Sequence, residues 1–164
     1  LIGKGMVESI SGVPLIDIEF PLFEKFHQNT KRIFDLILSF LMIALTIPFH
    51  IYYLFVGKKN QHTVWTTDGQ HIHLYYYQSK KKVIQNLPIL FSIFTGAMSF
   101  VGSQIIDITH QDPDLIIKPG LTGLMHLKTS DIQHDSIRRF EQHYAMHYSP
   151  IYDIEIILKS ILYI

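Results

Sequence analysis

His71 and His73 stand two apart in a β-prone run, and His143 and His147 stand four apart in a helical one. At both spacings a pair of imidazoles can share a metal ion. Neither pair brings a positioned third ligand and the chain has no cysteine, so no metal site is expected and the histidines read as part of an aromatic surface. Acidic chemistry would need a carboxylate held in place. Asp35 follows Lys31-Arg32 by one helical turn, at the spacing for a local ion pair, and Asp107 stands shortly after Gly102.

The elements that must position such groups begin with Val83–Gly102, read V-I-Q-N-L-P-I-L-F-S-I-F-T-G-A-M-S-F-V-G. Asn86 is expected to cap a helix, with Pro88 in its first turn. Leu87, Leu90, Phe91 and Phe94 recur at three- and four-residue intervals and predict one buried face. Gly96 falls where a left-handed cap would end the helix. Met98–Val101, stopped by Gly102, then reads as a strand or a second turn.

Upstream, Ile33–Val56 is almost wholly apolar and, at about 1.5 Å per residue, long enough for a bilayer core of about 30 Å. Pro48 interrupts it and removes one helical hydrogen bond. Lys31-Arg32 precede the run and Lys58-Lys59 follow it, so positive charge stands at both ends. A re-entrant helix, a kinked spanning helix and a buried core helix are all open, and the charge at both ends favours the first. Thr63–Thr67 and His71–Tyr77, joined through Asp68-Gly69, predict a hairpin. Its alternation sends Ile72, Leu74 and Tyr76 one way and His71, His73, Tyr75 and Tyr77 the other. Pro119-Gly120 suits a type II turn, and the final stretch reads as two helices broken at Pro150. Ile151, Ile154, Ile157, Leu158 and Ile161 give the last helix an apolar face for a core or a membrane interface. Residues 1–30, punctuated by glycine and proline, read as a linker or as an edge strand near Val13–Ile18. The expectation is an α/β (α+β) domain over residues 31–164, with a proline-broken re-entrant helix, a small hairpin, short helices and interfacial C-terminal helices.

Composition agrees with contact with lipid. In 164 residues, 48% are hydrophobic and 17% charged, and the formal net charge is zero, so nucleic acid is not an expected partner.

In their order along the chain, these motifs resemble the bacterial sugar transferases, membrane-bound phosphoglycosyl transferases that start glycan assembly on polyprenol phosphate. The family pattern reads Leu-Asp-Glu-Leu-Pro, an apolar helix, then Gly-Asp-Met-Ser-Phe-Val-Gly-Pro-Arg-Pro. Leu87-Pro88, Gly96 and Met98–Gly102 match it. So do Lys31-Arg32-x-x-Asp35 at the head of the membrane helix, Pro48 at its break, Pro119-Gly120-x-Thr122-Gly123 and the closing Ser149-x-x-x-Asp153 after Tyr144. The resemblance implies a bacterial inner-membrane protein facing the cytoplasm, working in surface-polysaccharide (exopolysaccharide or O-antigen) assembly. It implies membrane lipid, polyprenol phosphate and either an upstream domain or glycan-assembly proteins as partners. Lys31, Arg32, Asp35 and Pro48 would lie at the membrane interface, and Gln104, Lys118 and Gly120 near substrate phosphate.

The family's acidic dyad is not kept. Gln85 and Asn86 stand in its place, Ala97 replaces another acid, and Gln104 replaces an arginine. A carboxylate nucleophile and hard oxygen ligands for Mg²⁺ are both missing from these positions. The expectation is therefore a catalytically degenerate member with no cofactor. The alternative is an active phosphoglycosyl transferase, moving a phosphosugar from a UDP-sugar to polyprenol phosphate with Mg²⁺, through a rebuilt site using Asp107 or Asp35.

Overall fold

The computed structural model describes residues 7–10, 13–16, 20–57, 59–123 and 134–162. Within the stretch read as a linker, β1 (Val7–Ile10) and β2 (Val13–Ile16) form an antiparallel pair with Val7 opposite Ile16. Helix α1 (Lys25–Val56) then begins inside that same stretch, ahead of the expected Lys31.

Helix α1 runs through Pro48 as one 32-residue segment and ends where the Gly57 N–H donates to the Tyr53 carbonyl at 3.1 Å. The expected break is absent. Proline removes a single donor there, and the turns on both sides keep their bonds. One stripe of α1 faces the protein: Asp35, Ser39 and His50 are buried, and Leu38, Met42, Ile43 and Tyr53 are partly buried against the core. The remaining circumference, including Ile37, Phe40, Leu45, Ile51 and Phe55, is exposed. By length and composition α1 is apolar enough to cross a membrane.

Strands β3 (Lys59–Trp65) and β4 (His71–Tyr77) pair antiparallel, from Trp65 opposite His71 to Lys59 opposite Tyr77. Asp68 and Gly69 reverse the chain between them with φ of 61° and 64°, the left-handed pair that an Asp-Gly turn accommodates. Leu74 faces the core as the alternation predicts, with Ile72 and Tyr76 packed beside it. Tyr77 departs from the outward set and is buried. Tyr53 of α1 stacks on its ring at 4.7 Å, and the His50 Nδ1 lies 2.9 Å from its hydroxyl.

A single turn, α2 (Lys82–Gln85), leads into α3 (Ile89–Thr95). Asn86 is the C-terminal cap of α2, not the N-cap of α3, a position that Pro88 takes without any side-chain bond. Because α3 starts only at Ile89, its buried face is Ile89, Leu90 and Ile93 beside Leu87, while Phe91 and Phe94 remain 45% and 41% exposed. The predicted face was half right. Gly96 does end the helix in the left-handed region, at φ 90° and ψ 9°.

The second apolar run is β5 (Ser99–Val101), paired in parallel with β6 (Gly120–Thr122). Pro119-Gly120 is thus strand backbone and not the expected turn; Ser103 pairs with Pro119, and Gly120 has no positive φ. Gly102 and Gly120 meet backbone to backbone here. A Cβ on Gly102 would collide with the Lys118 carbonyl, and one on Gly120 with the Gly102 nitrogen. Helices α4 (His134–Met146) and α5 (Pro150–Leu162) divide at Pro150 as expected and close the core through Tyr144, Ala145, Tyr148 and Ile156.

Gly102→Ala is expected to lower stability by about 1–3 kcal/mol, the usual range for a side chain forced into filled space. A shift in the chemical-denaturation midpoint at constant slope checks it; an unchanged midpoint would mean the strands can part.

Candidate functional site

The first exposed turn of α1 turns inward at Lys31. Its ammonium donates to the Val101 carbonyl at 2.9 Å, the Tyr144 hydroxyl at 2.8 Å and the Asp153 carboxylate at 3.0 Å. Tyr144 in turn donates to the other Asp153 oxygen at 2.5 Å. Asp153 is 1% exposed. Burial pushes its carboxyl up, and the Lys31 ammonium opposes that shift. Burial, reinforced by the negative charge of Asp153, drives the Tyr144 hydroxyl far up, so it stays a proton donor.

The next residue, Arg32, donates to the Ile93 carbonyl at 2.7 Å and the Phe94 carbonyl at 2.6 Å, at the end of α3. Lys118 reaches the same place and donates to the Gly96 carbonyl at 2.7 Å. Asp35 accepts from the Ser99 hydroxyl at 2.6 Å and the Phe100 N–H at 3.1 Å. The local pairing expected between Asp35 and Lys31 or Arg32 does not form, because each of the three finds a partner far along the chain.

These groups line one cavity of about 380 Å³ with Lys31, Arg32, Asp35, Ser99, Lys118 and Tyr144 on its walls. Asp35 is the only acidic residue lining it among the described residues. Gln85 and Asn86 do not line it. They sit half-buried at the α2–α3 junction, where their N–H groups donate to the Lys81 and Lys82 carbonyls. Gln104 lies half-buried after β5, its Oε1 without a hydrogen bond among the described residues, and Gly120 contributes only backbone. Asp107 lies elsewhere, against β3. It accepts from the Thr109 N–H at 2.9 Å, which holds its carboxyl below the usual range, and is partly open to water. The paired histidines stay pairs, with ring centroids 6.4 Å apart for His71–His73 and 4.3 Å for His143–His147. Among the described residues no group of three His, Asp or Glu side chains is arranged to hold a metal ion.

Sequence reasoning passed over Glu141. It is 3% exposed on α4 and accepts from the Ile116 N–H at 3.2 Å, with the Ser103 hydroxyl beside its carboxylate. The two line a small cavity of about 10 Å³, the size of one water. The signal was available: Ile137, Glu141 and Tyr144 share one face of α4, on which the glutamate is the odd member. Burial pushes the Glu141 carboxyl up.

Two outcomes are expected. Lys31→Met leaves Asp153 buried without its cation and should cost about 3–5 kcal/mol, read by thermal or chemical denaturation. The Glu141 contribution to stability is fully present below its unfolded value of 4.5 and is lost as pH rises through the higher folded value. Glu141→Gln should therefore flatten the decline in unfolding midpoint as pH rises above 4.5. An equal decline in the variant would place the titration elsewhere.

No curated protein matches the chain. The sequence pattern described as Bacterial sugar transferase matches residues 58–164, more than half of its length and all of the fold after α1. With β5 (Ser99–Val101) folded as the strand that meets Asp35 and Lys31, the chain belongs to the bacterial sugar transferase family.

Proposed function

We propose that this protein is a catalytically degenerate sugar transferase of surface-polysaccharide assembly, seated on the cytoplasmic face of the bacterial inner membrane. The observation that carries the reading is the commitment of the charged groups around the cavity. Lys31 has an acceptor for each of its three N–H bonds, and both Asp35 oxygens accept hydrogen bonds from the β5 segment. A carboxylate so held is a weak nucleophile, and the dyad positions offer two neutral amides instead.

Seating in the membrane is supported by the exposed apolar circumference of α1 and the outward Ile151, Leu158, Ile161 and Leu162 of α5. Both ends of α1 pack on the same folded unit, Lys31 on β5 and α5 and Tyr53 on β4. That favours a helix whose ends stay on one side of the bilayer. Such a protein would act as an anchor or partner for glycan-assembly proteins.

The test uses purified protein in nanodiscs with Mg²⁺, polyprenol phosphate and labelled UDP-sugars. The unmodified chain is expected to give neither lipid-linked product nor protein-bound label, and the Gln85→Asp/Asn86→Glu variant to give slight labelling. Product from the unmodified chain sinks the proposal.

A further inference from the structure

The chain leaves β5 at Ser103 and returns to β6 at Lys118, and these two ends meet where the Ser103 N–H donates to the Lys118 carbonyl at 2.9 Å. A loop closed at its base in this way can move without parting the strands it joins. Its outgoing half is tied to β3. The Trp65 N–H donates to the Ile106 carbonyl at 2.9 Å, and the Ile108 N–H donates to the Thr63 carbonyl at 3.2 Å. The returning half, residues 111–117, makes no backbone-to-backbone bond among the described residues and leans on α4 instead. Asp114 pairs with Arg138 at 3.3 Å, Leu115 packs with Ile137 in a small core apart from the main one, and the Ile116 N–H donates to Glu141 at 3.2 Å. The Asp114–Arg138 pair is exposed and worth little. Glu141 is buried.

We propose that residues 111–117 form a strap latched to α4 by Glu141, and that ionisation of this carboxyl releases the strap and opens the Ile116–Ile117 wall of the larger cavity. Neutral, the carboxyl accepts the Ile116 N–H and fits its enclosure. Ionised, it faces a space of about 10 Å³, with room for one water. Of the charged and titratable groups around it, Arg138 on its own helix favours the ionised form, but that guanidinium is exposed and paired with Asp114. Tyr144, also on α4, gives its hydroxyl to Asp153. From the other side come the Ser103 hydroxyl and the Ile116 and Ile117 N–H groups, all neutral donors. Loss of water outweighs their support for the charge, so the closed strap favours the neutral carboxyl. Moving the strap aside gives Glu141 the solvation it lacks. Ile116 and Ile117 line the 380 Å³ cavity and leave with the strap, while Lys118 stays, pinned by Ser103. The device involves neither Gln85 nor Asn86 and is independent of transfer chemistry.

The test follows amide hydrogen exchange, segment by segment, in the detergent-solubilised full chain across pH, each rate divided by its intrinsic value. Opening releases one proton once the pH exceeds 4.5, the carboxyl's value in water. The opening constant of residues 111–117 is therefore expected to rise about tenfold per pH unit until the closed-state value is passed. Segments from α1 and β4 should keep their protection over the same range. Trp65, the one tryptophan in the chain, packs on Ile106, Leu115 and Ile137 and gives a second reading, its emission moving to longer wavelength in step. Glu141→Gln keeps a neutral acceptor for the Ile116 N–H and should hold the strap closed with no pH slope. An equal slope in Glu141→Gln overturns the proposal. So does an equal loss of protection in α1 and β4, or pH-independent opening of residues 111–117 in the unmodified chain. The last two readings need no variant, so the proposal can be refuted even where Glu141→Gln fails to fold.

Discussion

The Lys31 ammonium is drawn out of water, and such a charge is costly to bury without full compensation. Compensation comes from three elements at once: a carbonyl of β5, the hydroxyl of α4 and the carboxylate of α5. The rings of Tyr144 and Tyr148 add their faces at 5.3 and 5.6 Å. Four elements are therefore held at one point by one side chain. Asp35, a turn further along α1, fixes the position of β5 from the other side by taking the Ser99 hydroxyl and the Phe100 N–H. Between them these residues set where α1 lies on the domain, and the cavity is the space left beside them.

The contacts that hold the fold are concentrated in one place. The buried pair, the Asp35 clasp and the close backbone approach of Gly102 to Gly120 all lie around β5 and β6. Gln85 and Asn86 lie beyond them, at a junction secured by backbone bonds that any side chain would allow. A carboxylate could be exchanged for an amide there with little effect on the fold. Changes at these two positions therefore leave the family scaffold in place.

Elements with a local cause were legible in the sequence. The Asp68-Gly69 reversal, the Gly96 cap and the division at Pro150 each follow from the backbone preference of one or two residues. Asn86 and Phe91 were misread because the start of α3 moved to Ile89, and a short helix leaves no further turns to correct the phase. Pro119-Gly120 looked like a turn because both residues favour one; pairing with Ser103 and Ser99 overrides that preference. The site was partly legible. Lys31, Arg32, Asp35 and Lys118 stood out from their surroundings, but their partners depend on tertiary contact. A lysine and an aspartate one turn apart predict each other, and only the folded chain shows that each is taken by something more distant.

The polar stripe of α1 has a consequence for the order in which the protein is made. Asp153 lies 122 residues after Lys31, and Tyr77 lies 27 after His50. At about 5–20 residues per second, translation delivers the last of these partners on the order of ten seconds after Lys31 itself. Until β5 emerges α1 carries an unmatched aspartate on its inner side, and until α5 emerges a lysine without its balancing charge. It can rest at a lipid surface with that side wet, but it reaches its final place only when α5 emerges. Of the described helices, the longest is thus made early and is among the last to be locked.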